Sequence, residues 1–388
     1  MQNPKSADTE ANIIHQSALV LDTHVDTPQR FVDEAWDFTS PLNGGSLNLE
    51  TARQGNLAGT FFALWAEPTQ WRDRYAHRTL ELLDGVLEQV RRHPNDLTLC
   101  TTPAEILAAR AQNKFAILLG IEGGHSIENS LALLRLYHQL GVRYMTLTWA
   151  NSNDWADSSG DIDDPTIPHH NGLTSFGRDV IREMNRIGMI VDVSHASDKT
   201  FWDVLETTRA PILATHSSAR VLTNAPRNLT DDQLRAIAKN NGAVTVNFYS
   251  GFIDESFRNA INQLKSERSE AHRTLEAEFA TRNQPVPFSA SNAIDRAYAA
   301  QVPRPPLSSL IDHIDHIAKT AGIDHVGIGT DFDGIASLPA DIDSAADLPK
   351  ITAALHARGY TAEQLYKILG GNLLRVFNAA QAAAGSNL

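Results

Sequence analysis

This sequence predicts a (β/α)8 barrel, and three observations carry the prediction. Eight short apolar runs recur along the 388 residues, each a plausible buried strand. Helical patterns separate most of them. Six of the eight runs finish on residues able to bind a metal, act as a base or line a pocket. Alternating strand and helix implies a parallel sheet with right-handed crossovers. Eight such units suit a barrel, for which roughly 250 residues is typical, so the surplus is expected as insertions. A doubly wound open sheet would show the same alternation. The barrel is favoured because its C-terminal strand ends converge on one face, where active sites sit.

In chain order, the first run, SALVLDTH, leads through LDTHVDT, in which Asp22, His24 and Asp26 are spaced two apart. Alternate strand residues share a face, so His24 and Asp26 point the same way. The second run is AGTFFALWA. The third, KFAILLGIEG, ends in GIEGGH, with Glu122, two glycines and His125. The fourth, VRYMTLTW, follows the helical NSLALLRLYHQLG and ends on Trp149. The fifth, MIVDVSH, follows GLTSFGRDVIREMNRIG and carries Asp192 and His195. The sixth, PILATHSS, carries His216, and the seventh is GAVTVNFY. The eighth, DHVGIGTDFD, ends in Asp331 and Asp333. TAEQLYKILGGNLLRVFNAA reads as one closing helix.

The chain reads as a single domain over 1–388, with its largest insertion at about 251–306, after the seventh run. There FIDESFRNAINQLKSERSEAHRTLEAEFATRNQ is a charged helical stretch, followed by a loop-like QPVPFSASN and a proline-rich QVPRPPL. It is expected near the barrel mouth, either as a lid or as a solvated helix.

Composition narrows the function classes. A net charge of −13 argues against nucleic acid as the main partner, since phosphate binding wants a basic face. One cysteine, Cys100, rules out an intrachain disulfide. The N-terminal segment lacks the apolar core of a signal peptide, and no run approaches the ~20 residues of a membrane helix. A soluble protein is expected, cytoplasmic or, if a leader was removed, periplasmic.

Three histidines and two carboxylates without thiolates suit Zn²⁺ or another divalent first-row metal. A glutamate between two metals can bridge them, leaving His24/Asp26 and His195/His216 as the flanking pairs. Two ions about 3.5–4 Å apart activate a shared water and polarise a carbonyl. Asp331 remains as a carboxylate able to pass that water's proton to a leaving amine. The pattern alone does not distinguish a bridging carboxylate from a terminal one.

HVD after the first strand, GIEGGH, VDVSHAS, THSSAR followed by PRNLTDD, GIGTDFDG and the terminal GGNLLRVF together resemble the membrane (renal) dipeptidase family, metallopeptidases of the amidohydrolase superfamily. The resemblance spans about Leu21 to Phe377. It implies a (β/α)8 barrel with two Zn²⁺ ions that hydrolyses dipeptides to free amino acids, and a homodimer. By motif, His24 and Asp26 match the first-metal ligands, Glu122 the bridging ligand, and His195 and His216 the second-metal ligands. Asp331 matches the catalytic acid/base, and Arg227 matches the arginine that grips the substrate's terminal carboxylate. One position departs. Trp149 stands where many members carry a histidine that contacts the scissile group, and indole can donate a hydrogen bond but cannot accept one. His169 and His170 follow in the same loop as alternative donors. The C-terminal QAAAGSNL lacks the apolar tail of a lipid anchor, as expected of a soluble bacterial-type relative. Two competing readings stand beside the dipeptidase: a related amidohydrolase cleaving a lactam, lactone or N-acyl amino acid, and a metal-binding scaffold without catalysis.

Overall fold

The computed structural model describes residues 4–384. Nine strands follow in order: Val20–Val25 (β1), Leu57–Trp65 (β2), Leu97–Leu99 (β3), Phe115–Glu122 (β4), Val142–Thr146 (β5), Ile190–Asp192 (β6), Leu213–Ala214 (β7), Ala243–Val246 (β8) and Val326–Ile328 (β9). Eight of them run parallel in the order β1-β2-β4-β5-β6-β7-β8-β9, and these are the eight apolar runs of the sequence. The circle closes beyond the strand ends. Val25 bridges Phe332, Asp26 N donates to the Phe332 carbonyl at 2.9 Å, and Asp331 N donates to the His24 carbonyl at 3.0 Å. The expected (β/α)8 barrel is therefore the fold. The sequence reading missed β3, which pairs only with β4. Three residues are too short to show a strand period.

The apolar runs lack polar alternation because both strand faces are covered, inside by neighbouring strands and outside by helices. Phe61 and Leu118 belong to the interior cluster with Tyr144, Ile190, Leu213 and Phe377. Their neighbours Phe62, Ile117 and Leu119 belong to the outer layer beneath the helices. On β4 this alternation carries Gly120 and Glu122 to the inside with Leu118. Gly120 is required there. A Cβ at that position would lie 2.1 Å from the Tyr144 ring, which crosses the interior from the paired strand.

Two local expectations need correction. The closing segment is not one helix. Ala362–Tyr366 is followed by a π-turn over Lys367–Gly371 and then by Asn372–Ala382. At Gly370 the backbone leaves helical geometry, and a Cβ would stand 2.3 Å from the Leu19 carbonyl oxygen. Nor is QPVPFSASN loop throughout. A helix runs over Phe288–Ala299, starting directly after Pro287, whose extended backbone precedes its first turn.

Helices Glu255–Gln263, Lys265–Thr281 and Phe288–Ala299 occupy the long segment after β8. Phe257, Ile261, Ala299 and Val302 give it a small core of its own. No residue of Lys265–Thr281 is fully buried, as its charge pattern suggests. Among the described residues, no helix is long and apolar enough to cross a membrane.

Candidate active site

Every barrel strand brings a side chain to the C-terminal mouth. His24 at the end of β1 is wholly buried, and its Nε2 lies 3.5 Å from Asp26 Oδ2 and 3.6 Å from Glu122 Oε2. Glu122, the last residue of β4, turns its other oxygen to the far side. Oε1 is 2.9 Å from His195 Nε2 and 3.2 Å from His216 Nε2. The His24 and His216 rings stack with centroids 3.8 Å apart. Glu122 thus stands between two groups of imidazoles. His195 and Asp331 both adopt positive φ, at 67° and 60°. Few non-glycine residues do so, and such backbone collects at functional sites.

Neighbouring side chains orient these groups. The Tyr144 hydroxyl is 2.8 Å from His24 Nδ1. Thr215 Oγ1 is 2.8 Å from His216 Nδ1 and also donates to Asp192 Oδ2 at 2.6 Å. Asp192, one of the strand-end candidates, therefore supports His216 from beneath rather than joining the cluster. Asp333 likewise faces away from it, accepting from Thr27 Oγ1 and Ser46 N at 2.7 and 2.6 Å. His125 is turned aside, with Nε2 2.9 Å from the Ala66 carbonyl, and burial pulls its pKa down to about 4. His169 and His170 are exposed and lie outside the cavity described below.

The residues at the mouth fit a metal. His24 Nε2 is buried without a hydrogen-bond partner, and its two nearest carboxylates stand too far for one. Two donors on one tetrahedral ion at about 2.1 Å lie about 3.4 Å from each other, which is the spacing seen. Donor atoms of His24, Glu122 and His216 gather within 4.8 Å, and so do those of His24, Asp26 and Asp331. Three buried carboxylates in one space also call for positive charge. Burial alone would raise Glu122, but the three histidines hold it well below the usual carboxylate range. Gly334 keeps the approach open, since a Cβ there would fall 2.1 Å from Asp26 Oδ2 and 2.5 Å from Asp331 Oδ1.

A cavity of about 470 Å³ lies over this cluster. Arg227 lines it, with its two terminal nitrogens donating to Ser217 Oγ at 2.7 Å and the His216 carbonyl at 2.8 Å. Its Nε is buried without a partner, and burial lowers its pKa to about 10, so it stays charged at neutral pH. Trp149 also lines it, 4.7 Å from Trp65 and 6.4 Å from His195 between ring centroids. Trp65 packs at 5.8 Å on Phe288 of the long segment.

Sequence reasoning missed the contributions of the second and seventh runs. Trp65 ends β2, and Asn247, just past β8, donates from Nδ2 to Asp331 Oδ2 at 2.8 Å. Their position at the same strand end as the other candidates was the available signal.

Residues 8–387 match one family model, "Membrane dipeptidase (Peptidase family M19)". An uncharacterized dipeptidase of Schizosaccharomyces pombe is 33% identical over 390 residues, covering 96% of this chain and 82% of that protein. Dipeptidase 3 of Mus musculus is 33% identical over 338 residues, covering 87% of this chain and 58% of the mouse protein. The crystal structure of a Rhodobacter sphaeroides metallopeptidase, liganded with a phosphinate mimic of the dipeptide L-Ala-D-Ala, superposes with a TM-score of 0.75 at 26% identity, covering 94% of this chain and 99% of that one. The family expected from the motifs is the one that matches: this chain belongs to the membrane dipeptidase family, peptidase family M19, and is a metal-dependent hydrolase.

Proposed function

We propose that the protein hydrolyses dipeptides to free amino acids with two divalent metal ions, Zn²⁺ by the character of the donors. The observation that carries this is Glu122, whose two carboxylate oxygens face different histidine groups. His24, Asp26 and Glu122 would hold one ion; Glu122, His195 and His216 would hold the other. When bound, such a pair supplies Lewis acidity for the scissile carbonyl and a nucleophilic water at neutral pH.

The remaining residues position and protonate. Asp331 keeps one oxygen on Asn247, which leaves Oδ1 free to take a proton from the attacking water and return it to the leaving amine. Arg227, charged and tied on one side, offers its guanidinium to the terminal carboxylate of the substrate. Trp149 and Trp65, packed together in the cavity lining, shield the reaction from water. The Rhodobacter sphaeroides relative, seen with a dipeptide mimic, supports a substrate of two residues.

A panel of L,L and L,D dipeptides with matching tripeptides tests this, using metal-loaded and chelated protein and a metal assay. Metal-dependent cleavage of dipeptides and not of tripeptides, with two ions per chain, is expected. Protein that holds two ions yet cleaves no dipeptide would instead point to a lactam, lactone or N-acyl bond. Trp149, which cannot accept a hydrogen bond where many relatives carry histidine, would then be the first residue to examine.

A further inference from the structure

The cavity has a second basic end. Beyond Arg227, whose guanidinium lies 5.7 Å from the Phe252 ring, Phe252 packs at 4.9 Å on Tyr249. Arg258 and Arg268 both stand within electrostatic reach of Tyr249, and both line the cavity. The carboxylate at this end is Asp295, which is already engaged. Its Oδ1 is 3.5 Å from Arg268 Nε and 3.0 Å from His272 Nε2. Arg258 is half-buried, and among the described residues its guanidinium has no ion pair or hydrogen bond. Most other arginines of this acidic chain are paired; one facing a ligand cavity without a partner is the exception.

We propose that Arg258, backed by Arg268, forms a subsite for an acidic side chain on the substrate's C-terminal residue, so that Xaa-Glu and Xaa-Asp dipeptides are preferred. This rests on the dipeptidase reading, because it assumes that Arg227 takes the terminal carboxylate and so sets which residue lies toward Arg258. Both arginines belong to the long segment after β8, which thereby selects substrates as well as covering the mouth. A carboxylate placed there meets a planar donor fork in a partly desolvated space, where a charge-assisted hydrogen bond outweighs that of a neutral amide.

The test compares kcat/KM of the full-length, metal-loaded enzyme for L-Ala-L-Glu against L-Ala-L-Gln, and for L-Ala-L-Asp against L-Ala-L-Asn. Each pair matches in size and differs in charge. The acid is expected to be favoured by about tenfold. Arg258→Met brings the ratio to near one, and Arg258→Glu turns the preference toward L-Ala-L-Lys. Arg282→Gln, which removes an exposed arginine paired with Glu278, retains the wild-type ratio. A ratio near one in the wild type, or an unchanged ratio in Arg258→Met, overturns the subsite while the dipeptidase reading stands. If no dipeptide is cleaved, that reading fails. The Kd values of the acid and amide dipeptides for wild type and Arg258→Met, measured by calorimetry, then decide the subsite.

Discussion

The Tyr144 hydroxyl and His24 Nδ1 lie 2.8 Å apart inside the barrel, and this contact aims His24 Nε2 at Asp26 and Glu122. A metal on Nε2 would leave the ring proton on Nδ1, which would then donate to the phenol oxygen. The ring that supplies that oxygen has room because residue 120 is glycine. Partners of this kind fix the orientation of a ligating histidine and are typically worth 10–100-fold in metal affinity. Tyr144→Phe should therefore weaken metal binding by about tenfold, as read by chelator competition. Unchanged affinity would make the contact a packing feature only.

Asp331 is held by Asn247 and reaches the cavity from a positive-φ position. If it moves the proton, Asp331→Asn should lower kcat by about 10²–10⁴-fold with the metal content retained. Steady-state kinetics with a parallel metal assay separates this from loss of an ion, because Asp331 also lies within 4.8 Å of the His24 and Asp26 donor atoms.

Trp149 lies 6.4 Å from His195 between ring centroids, with an indole that has no acceptor. Installing histidine there restores a group able to contact a developing oxyanion. Trp149→His should raise kcat/KM for at least one small dipeptide by several-fold, up to about tenfold. Identical kinetics across the panel would assign Trp149 to the wall alone.

His313 reports on stability rather than catalysis. It is buried, its Nδ1 accepts from Ala219 N at 3.0 Å, and its Nε2 lies 3.3 Å from the Ile253 carbonyl. Burial lowers its pKa from 6.5 to about 4. The unfolded chain thus takes up a proton in this window that the folded chain refuses. The contribution is fully present above pH 6.5 and is lost as the pH falls toward 4, by about 3 kcal/mol in all. His313→Gln should flatten urea-unfolding midpoints over this range; an unchanged acid limb would show that other groups set it.

The legible part of this protein was the part written locally. Strand runs and helical patterns announce themselves by period, and the end of each strand is marked where apolar residues give way to polar ones. For that reason His24, Glu122, His195, His216 and Asp331 could be singled out one strand at a time. The charged helix Lys265–Thr281 was visible for the same reason, since no residue of it is fully buried.

What tertiary structure decided were relations between residues far apart in the chain. Glu122 faces three imidazoles because closure of the barrel brings the ends of β1, β4, β6 and β7 to one point, which no spacing encodes. Tyr144 reaches His24 only because Gly120 on the paired strand has no side chain. Asn247 and Trp65 join the site through closure of the barrel, and Arg258 through the fold of the long segment over its mouth. The break at Gly370 was hidden in a continuous helical pattern, and the close approach of the distant Leu19 carbonyl, which leaves no room for a Cβ there, is not written in the local sequence. Local sequence determined which elements form and which ends carry chemistry. Packing across the closed barrel decided which side chains meet, because contact and burial depend on the neighbour in space rather than on the neighbour in sequence.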